Sequence, residues 1–190
     1  GPALHSQDDL ITRVHHDSTN PKITLLSLGV PDKSLLPIAK LNKGMIQAMR
    51  TLESSGTAYD QVQGNDKLRR EVAKWSLSWG GDLDDTDIIT TAGCINAVAY
   101  CLLATTKPGD TIAIESPAYF GILQLTQTMG LNVLELPTNA TTGIEIEALK
   151  KALTMNKIKV CLLVSNFNNP CGSSMPPEHK KEVVKLLEHF

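Results

Sequence analysis

From residue 87 onward, short apolar segments alternate with longer helical ones. That alternation constrains the fold more than any other feature. Ile88–Thr91, Thr111–Glu115, Asn132–Leu136 and Val160–Ser165 read as strands. Helical spacing covers residues 94–106, 118–129, 145–155 and 177–190, and Pro108-Gly109-Asp110 marks a turn. Short strands that are apolar on both faces and separated by helices predict a parallel sheet covered on both sides. The expected fold class is therefore α/β, a three-layer α/β/α arrangement with a mostly parallel sheet. The helix at 94–106 is apolar nearly all round and is expected to be buried. In the helix at 145–155, Ile146, Leu149 and Leu153 should point inward.

Upstream, residues 37–53 read as a helix with apolar Ile38, Leu41, Met45, Ile46 and Met49. Residues 65–79 form another, with Asn65 as its N-cap and a stripe of Leu68, Val72, Trp75 and Trp79. Gly80-Gly81 should stop it. Leu25–Val30 reads as extended and runs into a turn at Pro31-Asp32. Residues 1–22 are polar and form an arm, and Gly1-Pro2 reads as the scar of a cleaved tag. At the other end, Phe190 falls inside a helical pattern, so the chain is expected to be a piece of a longer protein.

Composition closes several routes. The chain has 190 residues and can bury a core. Lys and Arg number 18 against 20 Asp and Glu, with four arginines in all, which argues against an electrostatic footprint for nucleic acid. No apolar run approaches the ~18–20 residues that cross a bilayer. Cys94, Cys101, Cys161 and Cys171 form no C-x-x-C pair, so no zinc site is expected. Three of them sit in or beside apolar runs as small hydrophobes, which suits a reducing, cytoplasmic setting. His5, His15 and His16 lack companion ligands, so no metal site is expected there either.

In open α/β sheets ligands bind at the carboxyl ends of the strands, and three such ends here carry unusual residues. After the strand at 88–91 comes Gly93-Cys94-Ile95, opening a helix. Free backbone N–H groups and a positive dipole end at such a turn suit a phosphate, although the same Gly suits a plain turn. After the strand at 111–115 comes Glu115-Ser116-Pro117-Ala118-Tyr119. Tyr119 can lay its ring on an aromatic ligand or pack as an ordinary helix residue. After the strand at 160–165 comes Asn168-Asn169-Pro170-Cys171-Gly172. Asn169 can aim its amide at a ligand oxygen, or the segment can be a simple turn.

Taken together, these segments resemble the large domain of fold-type I pyridoxal-phosphate-dependent aminotransferases of class I/II. The resemblance covers most of residues 24–190. It includes Leu26-Ser27-Leu28-Gly29-Val30-Pro31-Asp32, Tyr59-Asp60-Gln61-Val62-Gln63-Gly64 and Ile89-Thr90-Thr91-Ala92-Gly93-Cys94. It continues through Pro108-Gly109-Asp110-Thr111, Glu115-Ser116-Pro117-Ala118-Tyr119-Phe120-Gly121 and Asn169-Pro170-Cys171-Gly172. It is most similar to the aminotransferase-like domain of MocR-type regulators in the GntR family. The resemblance implies an arm at 1–22, an N-terminal segment of the aminotransferase-like domain at 23–58, and a partial cofactor-binding large domain at 59–190. It implies that Gly93, Cys94 and Ile95 cradle the phosphate of pyridoxal 5'-phosphate and that Tyr119 stacks on its ring. Asn169 would bond its phenolic oxygen, Tyr59 would reach the phosphate of a neighbouring subunit, and Gly29 would lie near the substrate carboxylate.

The same resemblance exposes a gap. The family uses a Schiff-base Lys, an Asp on the pyridinium nitrogen and an Arg on the substrate carboxylate, all downstream of the Asn-Pro motif. Here no Asp follows Asp110 and no Arg follows Arg70. Lys180, Lys181 and Lys185 sit on a helix and read as a solvated face. No catalytic residue is therefore expected in this chain, which should be inactive by itself and hold the cofactor weakly or not at all. The family's sheet also needs strands beyond residue 190, so a homodimer or strand-swapped oligomer is expected. Three functions follow. One is the domain of a MocR-type regulator that senses the cofactor or an amino-acid-like ligand, with DNA bound through an upstream winged helix. Another is part of a free-standing aminotransferase acting on a 2-amino acid and a 2-oxo acid. The third is a non-catalytic α/β scaffold.

Overall fold

The computed structural model describes residues 12–13, 16–24, 29–52 and 56–190. The segment at 25–28 and two of the arm's histidines, His5 and His15, lie outside them. The chain divides into two units, Gly1–Asp60 and Gln61–Phe190.

In the first unit, helix α1 runs Ile38–Thr51. Ahead of it, Asp32 caps a short 3-10 turn at Lys33–Leu35. Its carboxylate accepts from the Ser34 hydroxyl and backbone N–H, which holds it below the usual carboxylate range. The apolar stripe of α1 is exposed from Ile38 to Met49.

The second unit is the α/β domain. Helix α2 spans Asp66–Ser76, and Asn65 accepts from the N–H groups of Lys67 and Leu68 at 3.1 and 3.3 Å, as the sequence predicts. A 3-10 turn at Leu77–Trp79 carries the chain to Gly80. The buried Arg69 braces the region. Its guanidinium donates to the carbonyls of Gly64 at 3.2 Å and Asp85 at 2.8 Å, and to Gln61 Oε1 at 2.9 Å. Trp75 and Trp79 meet edge to face at 5.0 Å yet remain exposed with Leu68, so the predicted stripe is not a core stripe.

Helix α3 (Cys94–Thr105) leads into strand β1 (Thr111–Ser116), α4 (Phe120–Thr128), β2 (Asn132–Asn139) and the two-residue β3 (Gly143–Ile144). Helix α5 (Ile146–Met155), strand β4 (Ile158–Leu162) and helix α6 (Pro177–His189) complete the unit. The sheet order is β3-β2-β1-β4. β1 runs parallel to β2 and to β4, and β3 pairs antiparallel with β2. The turn before β1 is tied to the turn before β2: Gly109 N–H donates to Gly130 O at 2.8 Å, and Asn132 N–H to Asp110 O at 2.9 Å.

β1 is the central strand and is buried on both faces. Ile112 and Ile114 enter one core with Leu102 and Leu131, against α3 and α4. Ala113 enters the other with Leu136, Ile144, Leu149, Met175 and Val183, against α5 and α6. Each fully buried Ile or Leu contributes about 1.5–3 kcal/mol relative to leaving it exposed. The three-layer arrangement is the one the alternation predicts.

Four expectations need correction. Residues 88–91 form no ladder strand among the described residues. Ile88 is extended, but the Thr90 N–H goes to Gln63 O at 3.0 Å rather than to a neighbouring strand. Alternation predicts extended backbone, whereas a strand also needs a partner. Helix α3 is not buried all round: Leu102 is buried, while Ile95, Tyr100 and Leu103 are exposed. Of the cysteines, Cys94 and Cys101 are exposed, so neither serves as a core hydrophobe. Lys180 is not merely solvated, because it donates to Asn166 Oδ1 at 2.6 Å.

Candidate functional site

Two of the predicted contact residues come together at the carboxyl ends of neighbouring strands. Tyr119 follows β1 and Asn169 follows β4, and both line one crevice, with Glu115, Leu162 and Asn168. The crevice holds about 40 Å³. Small-molecule pockets run to roughly 300–1,000 Å³, so this crevice by itself is too small to enclose such a ligand. Larger grooves of about 420 and 440 Å³ lie between α5 and α6 and beside α2. None of the predicted site residues lines either groove.

Tyr119 is the N-cap residue of α4. Its ring meets that of Phe120 at 4.6 Å with a 48° tilt. The ring also folds back over Gly121, where a Cβ would stand 2.5 Å from Tyr119 Cε1. The Gly two residues after the Tyr is thus explained by space for the ring.

Gly93 caps α3 from outside the helix, with φ 129° and ψ 167°, a conformation open essentially to glycine alone. No side chain caps this helix end. The first N–H groups of α3 therefore face the anion-favouring end of its dipole. A Cβ on Gly93 would meet nothing within 4 Å, so the space beside these donors is open. Helix α3 packs through Val98 and Leu102 into the core cluster that also receives Ala118 and Ile122, next to Tyr119. Gly29 and Tyr59 belong to the other unit, and both are exposed.

Glu115 and Asn168 carry no assigned role in the sequence reading, yet with Ser173 they are buried polar residues of this region, 3%, 2% and 2% exposed. Glu115 Oε2 accepts from Val164 N–H at 2.6 Å and from Asn168 Nδ2 at 3.0 Å. These bonds explain why β4 ends at Leu162: the N–H of Val164 finds its acceptor on a side chain rather than in the ladder. The one hint the sequence offers is a carboxylate following the apolar Ile112–Ile114 run of β1; the bonds that give Glu115 its place are not readable from it.

The residue types present suit pyridoxal phosphate in three respects, open helix donors for a phosphate, an aromatic ring and an amide; Gly93, Cys94 and Ile95 are not among the residues that line the Tyr119–Asn169 crevice. Among the described residues no group of three or more His, Cys, Asp or Glu is placed to hold a metal. None of their helices is long and apolar enough to cross a membrane.

Comparison with known proteins supplies the family. The model for aminotransferase class I and II matches residues 21–190. An uncharacterized HTH-type transcriptional regulator, YjiR of Escherichia coli (strain K12), is 37% identical over 174 residues, covering 92% of this chain and 36% of the relative. Tyrosine aminotransferase of Mus musculus is 28% identical over 171 residues, covering 89% and 38%. Kynurenine aminotransferase of Pyrococcus horikoshii, solved with PMP, superposes with a TM-score of 0.84 at 22% identity, covering 98% of this chain and 49% of that one. That last likeness establishes the fold. The chain thus spans well under half the length of the curated relatives it matches. With the parallel sheet, the Gly93 turn and the Tyr119–Asn169 crevice in place, the match assigns this chain to the aminotransferase class I and II family.

Proposed function

We propose that this chain is the amino-terminal portion of a pyridoxal-phosphate-binding, aminotransferase-like domain of a MocR-type regulator. The observation that carries the cofactor reading is the shared crevice of Tyr119 and Asn169 at the ends of β1 and β4. The regulator reading rests on the 37% identity to YjiR, against 28% to tyrosine aminotransferase.

The cofactor's chemistry, when it is bound, is that of an electron sink. The chain's own part is to bind and orient. The N–H groups of Cys94 and Ile95 hold the phosphate dianion at the N-terminus of α3. Tyr119 presents its ring face to the pyridine and excludes water from that side. Asn169 donates from its amide to the phenolic oxygen, which favours the ionised form of that oxygen. Tyr59 reaches the phosphate of a second copy, and Gly29 leaves room for a substrate carboxylate. Affinity from these contacts alone is weak. DNA binding belongs to a winged helix outside this chain, and the working assembly is a homodimer in the cytoplasm.

Titration with pyridoxal phosphate, followed by phosphorus NMR, tests the cofactor reading. Saturable broadening that Tyr119→Ala and Asn169→Ala weaken supports it; a signal insensitive to both overturns it. The sequence upstream in the parent gene tests the regulator reading. A winged helix there supports it, while direct continuation into a free-standing transaminase favours the enzyme.

A further inference from the structure

Strand β1 reads Thr-Ile-Ala-Ile-Glu-Ser, and its register sets Glu115 opposite Leu136 of β2. A charge in such a position is costly unless it is hydrogen-bonded. Glu115 offsets part of that cost by accepting two hydrogen bonds from one loop at Oε2. Val164 lies just past the end of β4, and Asn168 lies 53 residues from Glu115 in sequence. Both donate to the same oxygen, Oε2. The far side of the loop is closed by Asn168 N–H to Ser173 O at 2.9 Å and Met175 N–H to Ser165 O at 2.8 Å. Within it, Phe167 takes a positive φ of 51°, which a non-Gly residue holds only when its surroundings enforce it. Asn169 is the next residue after the clamped Asn168.

We propose that Glu115 is the positioning residue of this site: its buried carboxylate clamps Val164 and Asn168 and thereby fixes where the Asn169 amide stands. The clamp rests on geometry alone; its importance for a cofactor rests on the reading given above. Oε1 has no partner among the described residues, so one acceptor oxygen does the clamping. Glu115→Gln supplies such an oxygen, whereas Glu115→Leu fills similar space and supplies none.

The test uses the full chain, nitrogen-15 labelled, as wild type, Glu115→Leu and Glu115→Gln. Amide exchange at Val164 and the side-chain amide signals of Asn168 and Asn169 are followed, with the Ile114 amide as ladder control. In Glu115→Leu, Val164 exchanges about 10-fold faster, as loss of one hydrogen bond predicts. The Asn169 signal moves, Ile114 stays protected, and Glu115→Gln restores the wild-type pattern. Unchanged Val164 exchange in Glu115→Leu, or a Glu115→Gln that behaves like Glu115→Leu, overturns the proposal. Should Glu115→Leu expose Ile114 as well, the side chain supports the whole sheet and the specific clamp is refuted. Pyridoxal phosphate is then added to each. Weaker binding in Glu115→Leu and recovery in Glu115→Gln extend the proposal to the cofactor. A wild-type chain that binds none, while the exchange difference persists, overturns the cofactor reading and upholds the clamp.

Discussion

The ring of Tyr119 lies over Gly121 so closely that a Cβ on Gly121 would stand 2.5 Å from its Cε1. Gly121→Ala must therefore displace the ring. Because the obstructing atoms belong to a side chain that can swing, the stability loss is expected to stay near the low end of the ~1–3 kcal/mol typical of overpacking. The ring should leave its 4.6 Å contact with Phe120, seen as loss of the aromatic cross-peak between the two. A retained cross-peak contradicts this packing.

Gly93 presents the opposite case. A Cβ there has open space, so Gly93→Ala is penalised by backbone conformation, with φ at 129°. We expect a loss of about 1–3 kcal/mol, read as a lower urea midpoint with an unchanged slope. The start of α3 should shift with it, altering the Cys94 and Ile95 amide signals. A variant as stable as wild type would show that this turn is not held as described.

Arg69 bridges three acceptors from two loops. Arg69→Met leaves the Gly64 and Asp85 carbonyls and the Gln61 amide oxygen to find other donors. The expected cost is about 2–4 kcal/mol. Arg69→Lys should recover a part of it, since an ammonium cannot span the same fork. A melting temperature within a degree of wild type for both variants would contradict the strut.

Burial in β4 pushes the Cys161 thiol up from its ordinary value. Its thiolate is disfavoured in the fold, so above about pH 8.5 the unfolded chain loses this proton first. Fewer protons on the unfolded state means that stability falls as pH rises through that window, the contribution being fully present below it. Wild type should therefore lose stability relative to Cys161→Ser between pH 8 and 10. Alkylation should reach the exposed Cys94 and Cys101 before Cys161. A pH-independent difference, or first labelling at Cys161, contradicts this.

The sequence made the layered fold readable because short apolar segments alternate with helical spacing and are punctuated by turn residues such as Pro108-Gly109-Asp110. The Asn65 cap is the clearest case, since a side-chain acceptor two and three residues before free N–H groups needs no tertiary context. The 88–91 segment failed as a strand because a ladder depends on a partner that alternation does not reveal. Helix α3 failed as a fully buried helix for a related reason, and the stripes of α1 and α2 are exposed as well: an apolar face records a preference for burial, not what buries it. β3 was missed because two residues are too short to show a period. At the site, Tyr119 and Asn169 were legible from their places after strands. Glu115 and Asn168 were not, because the bonds that give them meaning join residues 53 apart in the chain.

The most direct measurement is residue-resolved NMR of the chain during addition of pyridoxal phosphate to millimolar concentration. The account predicts coincident, saturable shifts of the Cys94 and Ile95 backbone amides, the Tyr119 ring and the Asn169 side-chain amide. Shifts confined to other surfaces, or a Tyr119 ring that responds while the α3 amides stay silent, would contradict it.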